Sequence, residues 1–349
     1  MRSYLSSYSE TSKGWELFAP ALLCFILNEM ELFELRLVVM LFLCYNIVQV
    51  YFGACSMKCL KLGENFIEWR NGGYQMIFGE YSSHFLVDIN EQAQANTNKP
   101  ISFQSEYLSL EVYENYEILM ENMLCRMYNV ENRRLLVYRW HDLTSAVGFW
   151  LEDLEKDSPV TIYFHPWLKT ISPINSDKLL GMIGLHHKLL QRNAPIIHAS
   201  YIIYNGRALL FTAPSGTGKS TQAGLWQENS DARIINGDRV LLEKRNSVWY
   251  ACGYPCCGSS DICFNEDAPV EAIVVLQQAE ENRLSELSAA AKQQALVTAT
   301  EFYHWDSMEL QKAFSLSEDI ISSVPVVKLL CRPDREAVEL LRRYLEGER

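Results

Sequence analysis

A strand-like run that ends in a glycine-lysine loop constrains this chain more than any other feature. Residues 199–212 read as two strands, ASYIIY and RALLFT, joined by Asn205-Gly206. An Asn-Gly pair is the strongest short hairpin signal, because both turn positions take positive φ. The second strand runs directly into Ala213-Pro214-Ser215-Gly216-Thr217-Gly218-Lys219-Ser220-Thr221, and the following TQAGLWQE has a helical pattern with Trp226 as a packing residue. Strand, glycine loop and helix form the context that a phosphate-binding loop requires. Gly216 and Gly218 let the backbone turn so that successive N–H groups face phosphate oxygens, and the helix N-terminus adds partial positive charge. Lys219 supplies a full charge for the β- and γ-phosphates, and the Ser220 hydroxyl is placed to ligate Mg²⁺. The expected ligand is a nucleoside triphosphate, ATP with Mg²⁺, held by Ser215, Gly216, Thr217, Gly218, Lys219, Ser220 and Thr221. One position departs from the full G-x-x-x-x-G-K-[ST] pattern: Ala213 stands at its first glycine, which is tolerated where φ is negative.

Behind the helix comes RIINGDRVLLE, with Asn236-Gly237-Asp238 at the end of a strand. A carboxylate at a strand end beside such a loop is the second half of a Mg²⁺-nucleotide site. Asp238 can hold the metal, directly or through water, or accept the proton of an attacking hydroxyl; the alternative is a turn without chemistry. The chain has no N-K-x-D base-reading motif and no LSGGQ-like signature, which sets aside GTPases and ABC ATPases.

The rest of the 349 residues bounds the partners. Net charge is -12 at pH 7, which repels a nucleic-acid backbone and excludes it as the main partner. Ten cysteines are scattered without a secretory rhythm, as expected of reduced thiols in a cytoplasmic protein. The group Cys252, Cys256, Cys257 and Cys263 lacks the paired C-x2-C spacing of a zinc ribbon. Residues 1–56 form a hydrophobic N-terminal segment. Within it, 37–55 are free of charge and close to the length that crosses a bilayer. A membrane anchor, a buried helix and a non-native extension ahead of Met57 all remain open, as does an oligomer.

Residues 57–174 read as a β-rich accessory domain. Asn71-Gly72-Gly73 between FIEWR and YQMIF signals a hairpin, and ISFQSEYLSLEVY, RLLVYRW and VTIYF read as strands. The stretch 115–129 is compatible with a helix. His84, His141 and His165 are isolated and carry no constellation. Residues 175–349 read as an α/β nucleotide-binding domain. It opens on a helix over 176–192 whose apolar face is Leu179, Leu180, Ile183, Leu185 and Leu189. His186 and His187 are adjacent and so point to different sides.

His198, the Asn-Gly hairpin, the S-G-T-G-K-S-T string and the Asp238 segment together resemble the catalytic domain of HPr kinase/phosphorylase, whose fold is shared with phosphoenolpyruvate carboxykinase. The tail VPVVKLLCRPDREAVELL, 324–341, is similar to tails of HPr-kinase-like proteins found beside bacterial peptide-modification genes. The resemblance implies an ATP-dependent phosphotransferase acting on a serine or similar hydroxyl of a protein or peptide, with Asp238, Lys219 and His198 as catalytic residues. In that family a histidine precedes the hairpin strand, as His198 does, and an Asp-Asp pair follows the next strand. Here Gly237 takes the place of one aspartate, Thr221 stands where the bifunctional members carry glutamate, and GYPCCGSSDICFN lies where their Arg-Gly signature falls. Kinase activity is therefore expected over phosphorylase activity. A non-catalytic nucleotide-binding regulatory module is the alternative.

Overall fold

Among the described residues, alternating apolar and polar residues build two nine-stranded sheets. The computed structural model describes residues 58–70, 76–88, 99–140, 144–170 and 174–347. The candidate span 37–55, the Asn71-Gly72-Gly73 turn and His141 lie outside them. No helix among the described residues is long and apolar enough to cross a membrane.

The first sheet holds β1 (Lys58–Leu62), β2 (Asn65–Trp69), β3 (Leu86–Asp88), β4 (Ile101–Tyr107), β5 (Glu117–Glu121), β6 (Cys125–Val130), β7 (Arg133–Trp140), β8 (Thr144–Trp150) and β9 (Val160–Phe164). Their order is β3-β1-β2-β4-β9-β8-β7-β6-β5. Two expectations fail here. The 115–129 stretch is not helical but forms β5 and β6. Its apolar residues follow a two-residue period, with Cys125 and Met127 in the core. Glu131 and Asn132, both at positive φ, close a two-residue turn that pairs β6 with β7. Nor do Met76, Ile77 and Phe78, the described part of YQMIF, pair with β2, which lies between β1 and β4; Ile77 instead bridges Asn175.

The second sheet holds β10 (Ile196–His198), β11 (Ser200–Tyr204), β12 (Arg207–Thr212), β13 (Arg233–Asn236), β14 (Arg239–Arg245), β15 (Val248–Cys252), β16 (Asp267–Gln278), β17 (Arg283–Ser285) and β18 (Val326–Cys331). The main path runs β10-β14-β15-β16-β12-β11-β13, and β18 pairs with both β16 and β17. The Asn205-Gly206 hairpin is present, with both residues at positive φ. At its heart β12 and β18 flank β16 in parallel, buried on both faces. On one face α2 (Lys219–Asn229) and α5 (Arg335–Leu345) cover Ile202, Leu209 and Phe211 through Trp226, Val338 and Leu341. On the other, α3 (Ala289–Ala299) and α4 (Ser307–Ser323) cover Tyr201, Leu210 and Ile273. Ahead of this sheet the expected 176–192 helix is broken: one turn at Ser176–Leu179, a 3-10 turn, then α1 (Leu185–Gln191). Gly184 causes the break. Its φ is +70°, and a Cβ there would lie 2.9 Å from the Leu154 methyls, so the chain turns to pack on Leu154. All five residues of the expected apolar face are nevertheless buried.

The two sheets share one apolar core, in which Leu60, Phe103 and Phe149 join Ile196, Leu241 and Tyr254. A polar joint reinforces it. The buried Glu243 carboxylate accepts from Asn65 Nδ2 at 3.0 Å, from the Glu64 amide at 3.0 Å and from Arg245 at 2.8 Å. Burial nonetheless pushes the Glu243 carboxyl up. Gly63 makes this approach possible: its φ is +58°, and a Cβ would meet Glu243 Oε2 at 2.6 Å. Gly63→Ala is therefore expected to lower stability by about 2 kcal/mol, from left-handed strain plus overpacking. Chemical denaturation would measure it, and an unchanged midpoint would refute the close contact.

Candidate active site

The loop after β12 is built by local backbone preferences. Gly216 and Gly218 sit at φ +78° and +111°, a region that L-residues avoid. A Cβ on Gly216 would meet nothing within 4 Å, so conformation, not space, demands glycine there. Ala213 is not among the positive-φ residues, which explains why alanine suffices at that position. The Thr217 amide donates to Pro214 O at 3.3 Å, and Gln278 Nε2 holds the Thr217 carbonyl at 3.3 Å. Gly218 caps the eleven-residue α2, whose first amides face the loop. Lys219 Nζ donates to Ala213 O at 3.0 Å, which sets the ammonium across the loop.

The carboxylate opposite is placed by a buried asparagine. Asn236 Oδ1 accepts from the amides of Asp238 (2.8 Å) and Arg239 (2.9 Å), while its Nδ2 donates to Tyr254 O at 2.7 Å and Cys256 O at 3.1 Å. This is the turn chemistry for which asparagine is selected. It ties the β13–β14 turn to the GYPCC segment. A Cβ on Gly258 would lie 2.8 Å from Asp238 Cγ, so glycine there lets the segment close over the carboxylate. A Cβ on Gly237 would lie 2.2 Å from Ser260 Oγ. The position of the absent second aspartate is thus filled from outside by Ser260.

A second carboxylate comes from elsewhere. Glu301 follows α3, where Thr300 bridges Ile197 and the Glu301 amide donates to Ile196 O at 2.8 Å. This brings Glu301 onto β10 beside His198. His198 Nδ1 lies 3.8 Å from Asp238 Oδ1, an ion-pair distance, and its Nε2 lies 3.3 Å from Glu301 Oε1. Arg239 bonds Asp238 Oδ2 at 3.1 Å and also bonds Glu301 through Nε. Sequence reasoning missed Glu301 and Arg239 as site residues. Glu301 lies 62 residues from Arg239 along the chain with no motif around it, so only the bridge to β10 reveals it.

The cluster's titration follows from this cross-pairing. The Asp238 carboxylate, then Glu301, raise His198 to about 9. His198 in turn holds Asp238 below the usual carboxylate range, against the cost of its burial. Burial opposes ionisation of Glu301, but His198 and Arg239 bring it down to about 2. Raised above the ordinary 6.5, protonated His198 stabilises the fold fully below pH 6.5, and that contribution is lost as pH rises through about 9. The carboxylates act in the opposite sense: they stabilise above their ordinary range and lose this on acidification, Glu301 near pH 2. With 41% of the His198 side chain exposed, solvent screens these pairs. At neutral pH the cluster therefore presents ionised Asp238 beside a cationic imidazole. Glu301→Gln is expected to drop the His198 midpoint from about 9 toward 6.5 in an NMR titration of the imidazole. No movement would mean that Asp238 alone sets it.

One cavity of about 580 Å³ joins these parts: His198, Ser215, Lys219, Asp238 and Lys328 line it. Of the expected loop residues, Gly216, Thr217, Gly218, Ser220 and Thr221 are not on its wall; Ser220 and Thr221 stand exposed in the first turn of α2. Lys328, from β18, is a second ammonium that the motifs did not reveal. The cavity matches the size of small-molecule sites. The positive-φ loop, the helix end and two lysines fit a polyphosphate. Among the described residues no group of three His, Cys, Asp or Glu could hold a metal. That donor set fits Mg²⁺ only in its usual protein role, held by one or two side-chain oxygens with phosphates and water completing the shell. Asp238, on the cavity wall, could supply one of those oxygens, and Ser220, in the first turn of α2 just outside that wall, is the candidate for the other.

The other noted residues serve packing. His165 accepts from the Trp167 amide at 3.2 Å and bonds Glu111. His187 bonds Glu309 and lies 3.0 Å from Glu155. His186 packs edge-on against Tyr303 and is pushed down by burial. Cys252, Cys257 and Cys263 are buried free thiols, all raised by burial, and Cys256 Sγ lies against Arg239.

No protein-family model matches the chain, and no curated protein matches it. One solved structure to which it is similar is "Structure of the Hpr(Ser) kinase/phosphatase from Coxiella burnetii", at 14% identity and a TM-score of 0.27, covering 44% of this chain and 99% of that one. At that TM-score the overlap assigns neither family nor activity.

Proposed function

We propose that this chain is an ATP-dependent phosphotransferase that moves the γ-phosphoryl group of ATP to a serine or similar hydroxyl of a protein or peptide. The observation that carries the reading is that Lys219 and Asp238, from the loop and from the β13–β14 turn, line one cavity. The α2 N-terminus, Lys219 and Lys328 bind and orient the triphosphate. Ser220 and Asp238 are the residues that would hold Mg²⁺, which supplies charge neutralisation when bound. Asp238 orients the acceptor hydroxyl. The hydroxyl oxygen bonds to the γ-phosphorus, the bond from phosphorus to the β,γ-bridging oxygen breaks, ADP leaves, and the hydroxyl proton passes to Asp238 and on to solvent. A carboxylate kept below its usual range is a weak base, which suits a transfer in which the proton leaves late and positioning dominates. Cationic His198 is unsuited to take that proton; with Arg239 it fixes the carboxylate and balances its charge. The test is incubation with ATP, Mg²⁺ and serine-containing peptides, read by mass spectrometry as phosphate gained, with loss of the product when EDTA is added. Tight nucleotide binding without any acceptor-dependent turnover would favour a regulatory nucleotide-binding module instead.

A further inference from the structure

His198 and Thr298 line a second cavity as well, of about 760 Å³, whose wall includes no residue of the glycine loop. Its walls are mainly apolar in area, with Arg139, Asp177, Lys178, Arg239 and Glu301 among them. Leu124, Tyr138 and Trp140 belong to the first sheet and its β5–β6 turn, and Tyr254, Tyr303 and Trp305 to segments that follow β15 and α3. The walls are held firmly. The Tyr303 amide donates to the fully buried Glu309 at 2.5 Å, and Trp305 stacks on Tyr303 at 4.7 Å. A hydroxyl donor alone needs no such lining, and the nucleotide has its own cavity.

Leu124 leads from this cavity to the edge of the first sheet. Asn122 Oδ1 accepts from the amides of Leu124 at 2.8 Å and Cys125 at 2.9 Å, fixing the β5–β6 turn with Leu124 69% and Met123 82% exposed. β5 ends the sheet, and no strand among the described residues pairs with its outer side. Ile118 and Leu119 on it are also exposed. Unpaired backbone with apolar side chains is what an extended peptide recognises by adding a strand.

We infer that the outer edge of β5 and this second cavity form the acceptor site, which takes an extended peptide by strand addition and seats the apolar side chains flanking its serine. Strand pairing reads the peptide backbone, the aromatic walls read the flanking residues, and the shared His198 and Thr298 mark where the serine enters the nucleotide cavity. The inference rests on the phosphotransfer reading for the identity of the serine, but the peptide site is testable apart from it.

The experiment uses the full chain and two acetylated synthetic peptides, each with one serine, flanked by leucine and phenylalanine in one and by aspartate and lysine in the other. Binding is read by fluorescence anisotropy, and transfer by kcat and KM with ATP and Mg²⁺. Trp305→Ala and Leu124→Glu alter partly exposed side chains that do not line the nucleotide cavity, and an unchanged thermal midpoint in each variant checks that the fold is retained. The apolar peptide should bind at least tenfold more tightly than the charged one. Each variant should weaken it about tenfold or more, as loss of an aromatic or apolar anchor does, with kcat and ATP affinity unchanged. N-methylation of alternate peptide amides should abolish binding in one register only. Equal binding of both peptides, or variants without effect, overturns the site. A photoreactive phenylalanine analogue in place of Leu124 that links to residues 1–57 or to a second copy, rather than to the added peptide, also overturns it. Binding of the apolar peptide without phosphate transfer sinks the phosphotransfer reading and keeps the peptide site. Transfer without flank preference does the reverse.

Discussion

Asp238→Ala is expected to keep nucleotide affinity within a few-fold while lowering phosphoryl transfer by about 10²–10⁴-fold, the range for loss of a positioned proton acceptor. The separation follows from how the residue is held. The backbone of Asp238, not its carboxylate, organises the turn: its amide donates to Asn236 Oδ1, and its carbonyl accepts from the Ala199 amide at 3.0 Å. The loop, α2 and Lys219 keep their phosphate contacts, so the loss on binding is confined to the Mg²⁺ contact that Asp238 would make. Alanine opens space against Gly258, so Asp238→Asn is the companion variant, preserving volume while removing the charge. Both should also let the His198 midpoint fall from about 9, since the first cause of that rise is gone. Isothermal titration with ATP and Mg²⁺ beside single-turnover transfer would separate the two effects. Undiminished transfer in both variants would reduce Asp238 to a turn residue.

Lys219→Ala carries the largest expected effect on binding. A lysine that meets phosphate in a shielded cavity contributes about 2–5 kcal/mol when its partner is otherwise left unpaired, so affinity for ATP should fall by roughly 10²-fold or more. The fold should be unaffected. Among the described residues Nζ donates one hydrogen bond, to Ala213 O, and alanine at the first position of α2 is a good helix former, so stability should stay within about 0.5 kcal/mol. Lys219→Met keeps the aliphatic stem and isolates the charge. Unchanged ATP affinity by calorimetry in both variants would remove the phosphate-binding assignment of the loop.

How much was legible in the sequence depended on the range of the forces involved. The Asn205-Gly206 hairpin, the strand ahead of the loop and the helix behind it were all readable, because each rests on the φ preferences of neighbouring residues. Gly184 defeated the reading of a continuous 176–192 helix. Its neighbours have the right apolar period and are buried as that period predicts, but contact with Leu154, thirty positions upstream, turns the chain. The 115–129 stretch went wrong for a related reason: its two-residue period is short, and the Glu131-Asn132 turn that pairs it with β7 lacks glycine. Asp238 was readable as a candidate because Asn-Gly-Asp closes a strand. The reason it stands alone was not, since the bulk filling the place of a second aspartate belongs to Ser260.

By itself, then, the sequence determined the local geometry on which a phosphate site depends. The positive-φ glycines, the lysine after them and the asparagine that shapes the Asp238 turn act over a few residues, and their energies do not need the rest of the chain. Tertiary structure alone decided the company these residues keep. Glu301 reaches His198 because the segment after α3 adds a bridge to β10, Lys328 enters from a strand paired across β16, and Leu124 and Trp305 face one cavity only because two sheets share a core. Those contacts depend on long-range packing, where loop closure and burial of apolar surface are settled over the whole molecule at once. No short string of residues encodes that balance.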